Sequence, residues 1–317
     1  MKRKLWRIGA LDRSLCFGLV IACCAAGSMA GSVGEESNSA KPSAEAEEGD
    51  ADATVRLARR HLTGDGVPKD VRKALDLVKP LAESGNAGAE ALLGYLHAQG
   101  LGVPKDEAVA IRWFRLAADQ GHAVAQLNLG LLLLKRDSSL PGLAEGIQSV
   151  TEGLKWLETA ANSGNLDARL RLADLFYFGA GGVDKDREKA VGYARQAAEA
   201  GHRWAQQLFA NMIEFGEGGL EPDRDLALDW YRKAAEQGEP KAQASLGRIL
   251  AGSTKREDEL EAYVWLKLGA AQDEITAINY LKEIAEGMSD EEIAEGDRRF
   301  EKRRSEIASR TAESGGS

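Results

Sequence analysis

The sequence predicts an all-α fold: a right-handed α/α superhelical solenoid of about six helix–turn–helix repeats with a C-terminal capping helix. Three observations lead to this prediction. A glycine-rich turn from Gly64 to Asp70 recurs 36 residues later as Gly100 to Asp106. A small residue precedes an apolar residue by four positions in six places, and most units close with a bulky pair, two small residues and a helix breaker. Self-similarity at such a period is typical of stacked repeats.

The start of the chain has the features of an export signal. Basic residues come first, and an apolar run that ends at Ala26 follows them, which is the order found in secretory signal peptides. Two processing sites are open: ordinary cleavage, which makes 1–30 the signal, or lipoprotein cleavage before Cys23, which makes it 1–22. The residues before Cys23 resemble the lipobox of bacterial lipoproteins, in which the cysteine is lipidated. Both predict an exported protein, in the periplasm or as an outer-membrane lipoprotein, with secretion as the alternative.

A polar stretch over 31–50, rich in serine, glycine, alanine and glutamate, is predicted to be a disordered tether. The three cysteines all lie before it, so ordinary cleavage leaves the folded part with no disulfide, Cys–zinc site or cysteine nucleophile. The net charge is −9, and removing five Lys/Arg and one Asp with 1–30 makes it −13. This acidity predicts that nucleic acid is not a partner.

The first helix of each unit carries a small residue, then an apolar residue four positions later, then another small residue. In the second unit these are Ala89, Leu93 and Gly94. A position without a bulky side chain allows a neighbouring helix to approach, so we interpret the small residues as packing positions. The central apolar residue of this pattern is called the key residue below; the six are Leu57, Leu93, Leu129, Leu172, Phe209 and Leu246.

The second helix carries a bulky pair, two small residues and a glycine, as in Trp113-Phe114, Ala117-Ala118 and Gly121. Glycine just past a helix is typical of a C-cap. The first member of the pair is predicted to be core, because aromatic burial explains it without a ligand. Trp204 does not fit this position. The predicted core aromatics are Trp113, Trp156, Tyr193, Trp230 and Trp265.

A helical apolar stripe continues beyond the sixth unit, and Ser289 with Glu292 forms a capping box that starts a charged last helix. End units of a repeat array need such a cap, since an open end exposes apolar surface. The predicted boundaries are 51–273 for the repeats, 274–310 for the capping helices and 311–317 for a disordered tail.

Together the patterns A-x-x-x-L-G, G-x-G-V-x-x-D and A-x-x-W-[YF]-x-x-A-A-x-x-G resemble the Sel-1-like repeat family, a relative of tetratricopeptide repeats, from about Ala53 to Asp273. Repeat 3 departs from the pattern, with Ser138 to Thr151 in place of the glycine turn; we expect this insertion to protrude. The resemblance implies a superhelix whose inner surface holds partner proteins or peptides, and it implies no reaction. A cysteine-rich secreted subgroup has an enzymatic or antibiotic-binding activity, but this chain lacks those cysteines.

The four histidines are the first candidates for chemistry, since histidine titrates near neutral pH. His61 and His97 occupy the same position of successive repeats, and His122 and His202 each follow a helix-ending glycine. Repeat position therefore accounts for all four. A metal site made by His61 and His97 is the alternative, but no third ligand is evident. We expect no catalytic residue, no metal and no cofactor.

Candidate partner-binding residues come from the resemblance to tetratricopeptide repeats, which implies inner-face positions two before, two after and five after the key residue. In repeat 3 all three positions are leucine, and polar and aromatic residues flank them in the neighbouring repeats. Either these leucines line a recognition groove, or the insertion folds over them as local core. The candidates are Tyr95, Leu127, Leu131, Leu134, Asp174, Tyr177, Asn211 and Arg248.

The sequence therefore predicts a non-catalytic scaffold or adaptor at the bacterial cell envelope, binding a protein or peptide on its concave face. The alternative is a small-molecule-binding or hydrolytic enzyme of the secreted repeat subgroup, which requires His97, Asp174 and an arginine to converge. A purely structural role with self-association is the third reading. The acidic surface opposes self-assembly, so a monomer with a possible lipid anchor is expected.

Overall fold

The computed structural model describes residues 50–137 and 143–315, and it describes side chains over 50–135 and 148–310. The predicted signal peptide, nearly all of the tether and the candidate lipidation site Cys23 lie outside these ranges. Regular structure in the described residues is entirely helical, which confirms the all-α prediction. None of the described helices has the length and apolar character needed to cross a membrane.

The chain divides into two compact units, which meet in sequence at Lys185 and Asp186. The helices of the first unit are α1 (Ala51–Thr63), α2 (Val71–Glu83), α3 (Ala87–Gln99), α4 (Glu107–Asp119), α5 (Ala123–Asp137), α6 (Leu143–Asn162) and α7 (Leu166–Phe178). Those of the second unit are α8 (Arg187–Glu199), α9 (Arg203–Phe215), α10 (Arg224–Glu236), α11 (Pro240–Ala251), α12 (Arg256–Ala270), α13 (Ile275–Ala285) and α14 (Asp290–Gly315).

The glycine turn works as a helix stop followed by a helix start. Gly100 closes α3 with φ +75°, a left-handed conformation that residues with a Cβ rarely adopt. Asp106 then caps α4, because its carboxylate accepts a hydrogen bond from the Val109 amide at 2.9 Å. Asp70, Asp186 and Asp223 cap α2, α8 and α10 in the same way.

Second helices end on a glycine in the left-handed region, as predicted. At the end of α4, Gly121 has φ +85° and donates its amide to Ala118 O, while the His122 amide donates to Ala117 O. This pair of bonds satisfies carbonyls that the helix end leaves open. In repeat 6 the same position is Asp273, with φ +61°.

The small residue after each key residue marks a close helix contact. A Cβ built on Gly247 in α11 would lie 2.6 Å from Leu266 Cγ in α12, and one on Gly130 in α5 would lie 2.8 Å from the Gly153 carbonyl oxygen in α6. Real side chains do not approach so closely, so these positions require glycine in the present packing. The interpretation of these residues as packing positions holds.

The prediction for the aromatic pair holds in part: Trp113 and Trp156 pack against the core and Trp265 is buried in it, but the second member of each pair lies deeper. The second member of each pair is fully buried, whereas the first is only half-buried in four of the five cases, because successive helical residues point about 100° apart. Trp265, at 2% exposed, is the exception, since α14 packs on α12. The fully buried residues are Phe114, Leu157, Ala194, Tyr231 and Leu266; the half-buried ones are Trp113, Trp156, Tyr193 and Trp230.

A buried glutamine three residues before the key residue ties its helix to the preceding one. Gln206 donates to Ala198 O at 3.2 Å, and its Oε1 accepts a hydrogen bond from Gln237 at 2.8 Å. Gln126 makes the equivalent bond to the preceding helix, but its own Oε1 is buried without a partner. Ser163, just past the end of α6, occupies the repeat position of Gln237. Its side chain is too short to reach Oε1 of Gln126 as Gln237 reaches Gln206.

Two further predictions concern the insertion and the cap. The described part of the insertion does not protrude as a loop: it lengthens α6 at its start, and Ser149 Oγ donates to Leu133 O of α5 at 2.7 Å. The capping box is confirmed, since the Ser289 amide donates to Glu292 at 2.8 Å and the Glu292 amide to Ser289 Oγ at 3.3 Å. The last helix is longer than predicted and ends at Gly315.

Candidate protein-binding site

The candidates of repeats 2 and 3 are core residues. Tyr95 is 6% exposed, and Leu127, Leu131 and Leu134 are 0%, 3% and 0% exposed. Leu134 packs against Gly153 of α6, the helix that the insertion lengthens. The local-core interpretation therefore describes these leucines, and the expectation of an open apolar groove at repeat 3 is corrected.

Asp174 and Tyr177 of α7 are both half-buried. Asp174 pairs with Arg171 one turn earlier on the same helix, at 3.9 Å. The ring of Tyr177 meets the ring of Phe178 edge-on, with 4.8 Å between the ring centres. These two candidates thus lie on one helix, among polar and aromatic neighbours of the first unit.

Asn211 and Arg248, the candidates of the second unit, belong to one hydrogen-bond network. Nη2 of Arg248 in α11 donates to both carboxylate oxygens of Glu214 in α9, at 2.7 and 2.8 Å. The Tyr231 hydroxyl of α10 contacts Glu214 at 2.8 Å and also contacts the side-chain oxygen of Asn211. We call Asn211, Glu214, Tyr231 and Arg248 the Arg248 cluster.

The Arg248 cluster is rooted in the core and opens to solvent at one end. Tyr231 is fully buried, and the Glu214 and Arg248 side chains are 12% and 30% exposed. Burial, together with the negative charge of Glu214, raises the pKa of the Tyr231 hydroxyl far above its ordinary value. The hydroxyl therefore stays protonated as a donor, and the carboxylate holds the guanidinium in one orientation.

Phe215 adds an apolar group beside the cluster in sequence. It follows Glu214 at the end of α9 and is 55% exposed. Aromatic residues, phenylalanine among them, and arginine are enriched in protein–protein interfaces relative to the rest of the surface. Glu214 itself lies five residues after the key residue Phe209, so the spacing rule that pointed to Asn211 also points to it.

The histidines serve the repeat architecture. Nδ1 of His61 is 3.0 Å from Pro68 O, and His122 and His202 accept backbone amide hydrogen bonds as N-caps of α5 and α9. Burial and the charge of Arg59 lower the pKa of His122. Nδ1 of His97 is buried without a partner. Among the described residues, no group of three or more His, Cys, Asp or Glu side chains has the arrangement of a metal site.

Known proteins place these repeats in a family. The Sel1 repeat model matches residues 51–86, 87–122, 123–165, 166–202, 205–239 and 240–274. A Sel1 repeat protein from Oxalobacter formigenes is 28% identical, with a TM-score of 0.56 over 69% of this chain and 85% of that chain. The protective antigen c5321 of uropathogenic Escherichia coli is 27% identical, with a TM-score of 0.42 over 85% of this chain and 63% of that chain.

No curated protein matches the chain. The six matched segments follow one another through both units, and each carries the helix–turn–helix pattern described above. Repeats of this kind generally act as non-catalytic scaffolds for protein–protein interaction. The chain belongs to the Sel1 repeat family.

Proposed function

We propose that this protein is a non-catalytic adaptor at the bacterial cell envelope, which binds a partner protein or peptide through the Arg248 cluster and Phe215. The observation that carries the proposal is the fixed, partly exposed guanidinium of Arg248 next to a helix that ends in the exposed Phe215. A side chain already held in one orientation loses little conformational entropy on binding, which favours affinity.

The chemistry of the cluster favours a polar peptide surface over a reacting substrate. Glu214 is engaged by Arg248 and Tyr231, so its carboxylate has two donors before any ligand arrives. Arg248 and Asn211 offer N–H donors, which suit the carbonyl and carboxylate oxygens of a protein partner. Phe215 supplies the apolar contact that such an interface needs at its centre.

Site-specific photo-crosslinking tests the binding surface. A benzophenone amino acid placed at Phe215 should capture a partner in intact cells, and the captured band should disappear when Arg248→Ala is added. The same group placed at Ile275, which is 72% exposed on α13, is the matched control. Capture of the same partner from both positions, or capture that ignores Arg248→Ala, would count against this surface.

The envelope location is a separate part of the proposal and has its own test. Support comes from the basic and apolar leader, in which Cys23 follows a segment similar to a lipobox. Fractionation of cells grown with a labelled fatty acid should place the protein in the envelope and label it. Cys23→Ser should remove the label if the protein is a lipoprotein; a periplasmic protein without label would favour cleavage after Ala30. Recovery of the full-length chain in the cytoplasm would contradict export.

A further inference from the structure

One position in the first helices ties each repeat to the helix before it. In repeats 3 to 6, the residue three before the key residue donates an N–H to the backbone carbonyl eight residues earlier. The donors are Gln126, Arg169, Gln206 and Gln243, and their acceptors, at 3.1 or 3.2 Å, are Ala118 O, Ala161 O, Ala198 O and Ala235 O. We call this hydrogen bond, from a first helix to the end of the preceding second helix, the repeat tie.

Repeat 2 has a carboxylic acid at the same position. Glu90 lies three residues before the key residue Leu93, and the carbonyl eight residues earlier is that of Ala82 in α2. Glu90 is only 3% exposed, as deeply buried as the glutamines that make the tie in other repeats. An ionised carboxylate has no hydrogen to donate. Only a protonated Glu90 can therefore make the repeat tie to Ala82 O.

A second contact indicates which oxygen of Glu90 faces Ala82. Gln120, at the end of α4, donates Nε2 to Oε2 of Glu90 at 2.7 Å. In repeat 5, Gln237 donates in the same way to Oε1 of Gln206 at 2.8 Å, and repeat 6 has the same contact. The remaining terminal atom of Gln206 is the nitrogen that makes the repeat tie. Oε1 of Glu90 corresponds to that nitrogen.

The surroundings of Glu90 favour its neutral form. Burial raises the pKa of its carboxyl above the ordinary value of 4.5, and the hydrogen bond from Gln120 opposes this only in part. Among the described residues, no charged side chain contributes to the shift. An acid that lacks a cation loses solvation when it ionises in the interior, so it keeps its proton to higher pH.

The helices packed against α3 are α1, α2 and α4. The charged residues beside their contacts with this part of α3 are all exposed: Arg56 on α1, Lys79 and Glu83 on α2, and Asp119 on α4. Arg56 pairs with Asp50 at 3.6 Å, and Lys79 pairs with Glu83 at 4.0 Å. The polar side chain that these helices place against Glu90 is the uncharged Gln120.

We infer that Glu90 makes the repeat tie to Ala82 O as a protonated acid, so that the junction between repeats 1 and 2 is proton-dependent and weakens as the pH rises. Loss of the proton to solvent leaves two acceptors, Oε1 and the Ala82 carbonyl, facing each other. A carboxyl whose folded-state pKa is raised stabilises the fold below the unfolded value, and this contribution is lost as the pH rises through the folded value. The junction lies in the first unit and is independent of the Arg248 cluster.

The titration of Glu90 can be measured directly. Carbon-13 NMR of the full chain, labelled at the glutamate side-chain carboxyl carbons, gives one titration curve for each glutamate, and Glu90→Gln assigns the signal by removing it. The midpoint for Glu90 should lie above 4.5. A midpoint at or below 4.5 would overturn the inference, because Glu90 would then be more acidic in the folded chain than an ordinary glutamate.

Urea unfolding of Glu90→Gln tests the tie itself. The amide carries its N–H at every pH, so the variant should be more stable than the parent at pH 8, and this advantage should shrink at pH 4. Between these pH values, the ratio of the two unfolding constants should change by about tenfold for each unit by which the NMR midpoint exceeds 4.5. A variant that is less stable than the parent at pH 8, or equally displaced at both pH values, would overturn the inference.

Two further variants complete the test. Gln243→Glu places an acid in the repeat tie of repeat 6, and it should lose more stability relative to the parent at pH 8 than at pH 4. Glu83→Gln is the matched control on α2, since its pair with Lys79 is more than half exposed on both sides; it should change stability little at either pH. If Gln243→Glu shows no dependence on pH, an acid at this position does not need a proton and the inference fails.

Discussion

Arg248 donates two hydrogen bonds from one nitrogen to the two carboxylate oxygens of Glu214, at 2.7 and 2.8 Å, and so joins α11 to α9. The two helices belong to consecutive repeats. The contact therefore both ties repeats 5 and 6 together and fixes the donor that the proposed partner meets.

Removing Arg248 should cost stability as well as binding. Arg248→Ala leaves the Glu214 side chain, 12% exposed, without its cation, and we expect a loss of about 1–3 kcal/mol in the free energy of unfolding. Urea denaturation measures it. Arg232→Ala is the matched control, since Arg232 is 45% exposed and pairs with the exposed Asp229 on its own helix; it should cost about 0.5 kcal/mol or less. Equal losses in the two variants would contradict a special role for the Glu214 pair.

Glycine at the close contact of α11 with α12 should be irreplaceable by alanine. Gly247→Ala puts a Cβ 2.6 Å from Leu266 Cγ, so overpacking should destabilise the chain by about 1–3 kcal/mol. Gly192→Ala in α8 is the control, because no atom of another described helix lies within 4 Å of that Cβ. There the better helix propensity of alanine should stabilise by about 0.5–1 kcal/mol. If Gly247→Ala lowers the melting temperature and Gly192→Ala raises it, the close contact of α11 with α12 is supported. Changes of the same sign in both variants would contradict it.

Repeat 3 should become more stable when it receives the glutamine that repeats 2, 5 and 6 have at the end of the second helix. Ser163→Gln should give the buried Oε1 of Gln126 a donor, as Gln237 does for Gln206. One added hydrogen bond should stabilise the chain by about 0.5–1.5 kcal/mol. The reverse change, Gln237→Ser, should destabilise by a similar amount. A Ser163→Gln variant no more stable than the parent in urea would show that the glutamine pairs contribute little.

The start of α14 should lose stability in acid. Hydrogen bonds from Arg256 and from the Ser289 amide lower the pKa of Glu292 to about 2, from an ordinary value of 4.5. A carboxyl with a lowered folded-state pKa stabilises the fold above the unfolded value and stops doing so as pH falls to the folded value. The contribution of Glu292 should therefore fade between pH 4.5 and about 2.

Glu292→Gln isolates this effect. At pH 7 the variant should unfold at a lower urea concentration than the parent. This difference between the two unfolding midpoints should be smaller at pH 2.5. Glu301→Gln is the control, since Glu301 pairs with Arg304 at 3.7 Å and both side chains are more than 60% exposed. A gap for Glu292→Gln that is the same at both pH values would contradict the assigned cause.

The repeats, their turns and the cap could be predicted because they depend on local chemistry. Gly121 and Asp106 form their hydrogen bonds with residues three positions away, and the Ser289–Glu292 capping box lies within one helical turn. Burial of Leu131 could not be predicted, since it depends on how a neighbouring helix packs. Trp113 and Phe114 are neighbours in α4, and only Phe114 is fully buried. An error of one position in aligning the repeats is enough to choose the wrong one as the core residue.

Part of the Arg248 cluster could be predicted from the sequence. Asn211 and Arg248 follow from the spacing rule, which also reaches Glu214 five residues after Phe209. The role of Tyr231 could not be predicted, because its hydroxyl, on the second helix α10, contacts Glu214 on the first helix α9. The sequence pattern describes each helix separately, whereas the network exists only between helices.

The most direct test of the adaptor proposal is the affinity of the purified partner, identified by crosslinking at Phe215, for three forms of this chain. The proposal predicts that Phe215→Ser and Arg248→Ala each weaken binding about tenfold or more, as central interface residues do, while Ile275→Ser binds like the parent. If Phe215→Ser and Arg248→Ala bind as tightly as the parent while remaining folded, the Arg248 cluster is not the partner-binding site and the account is wrong.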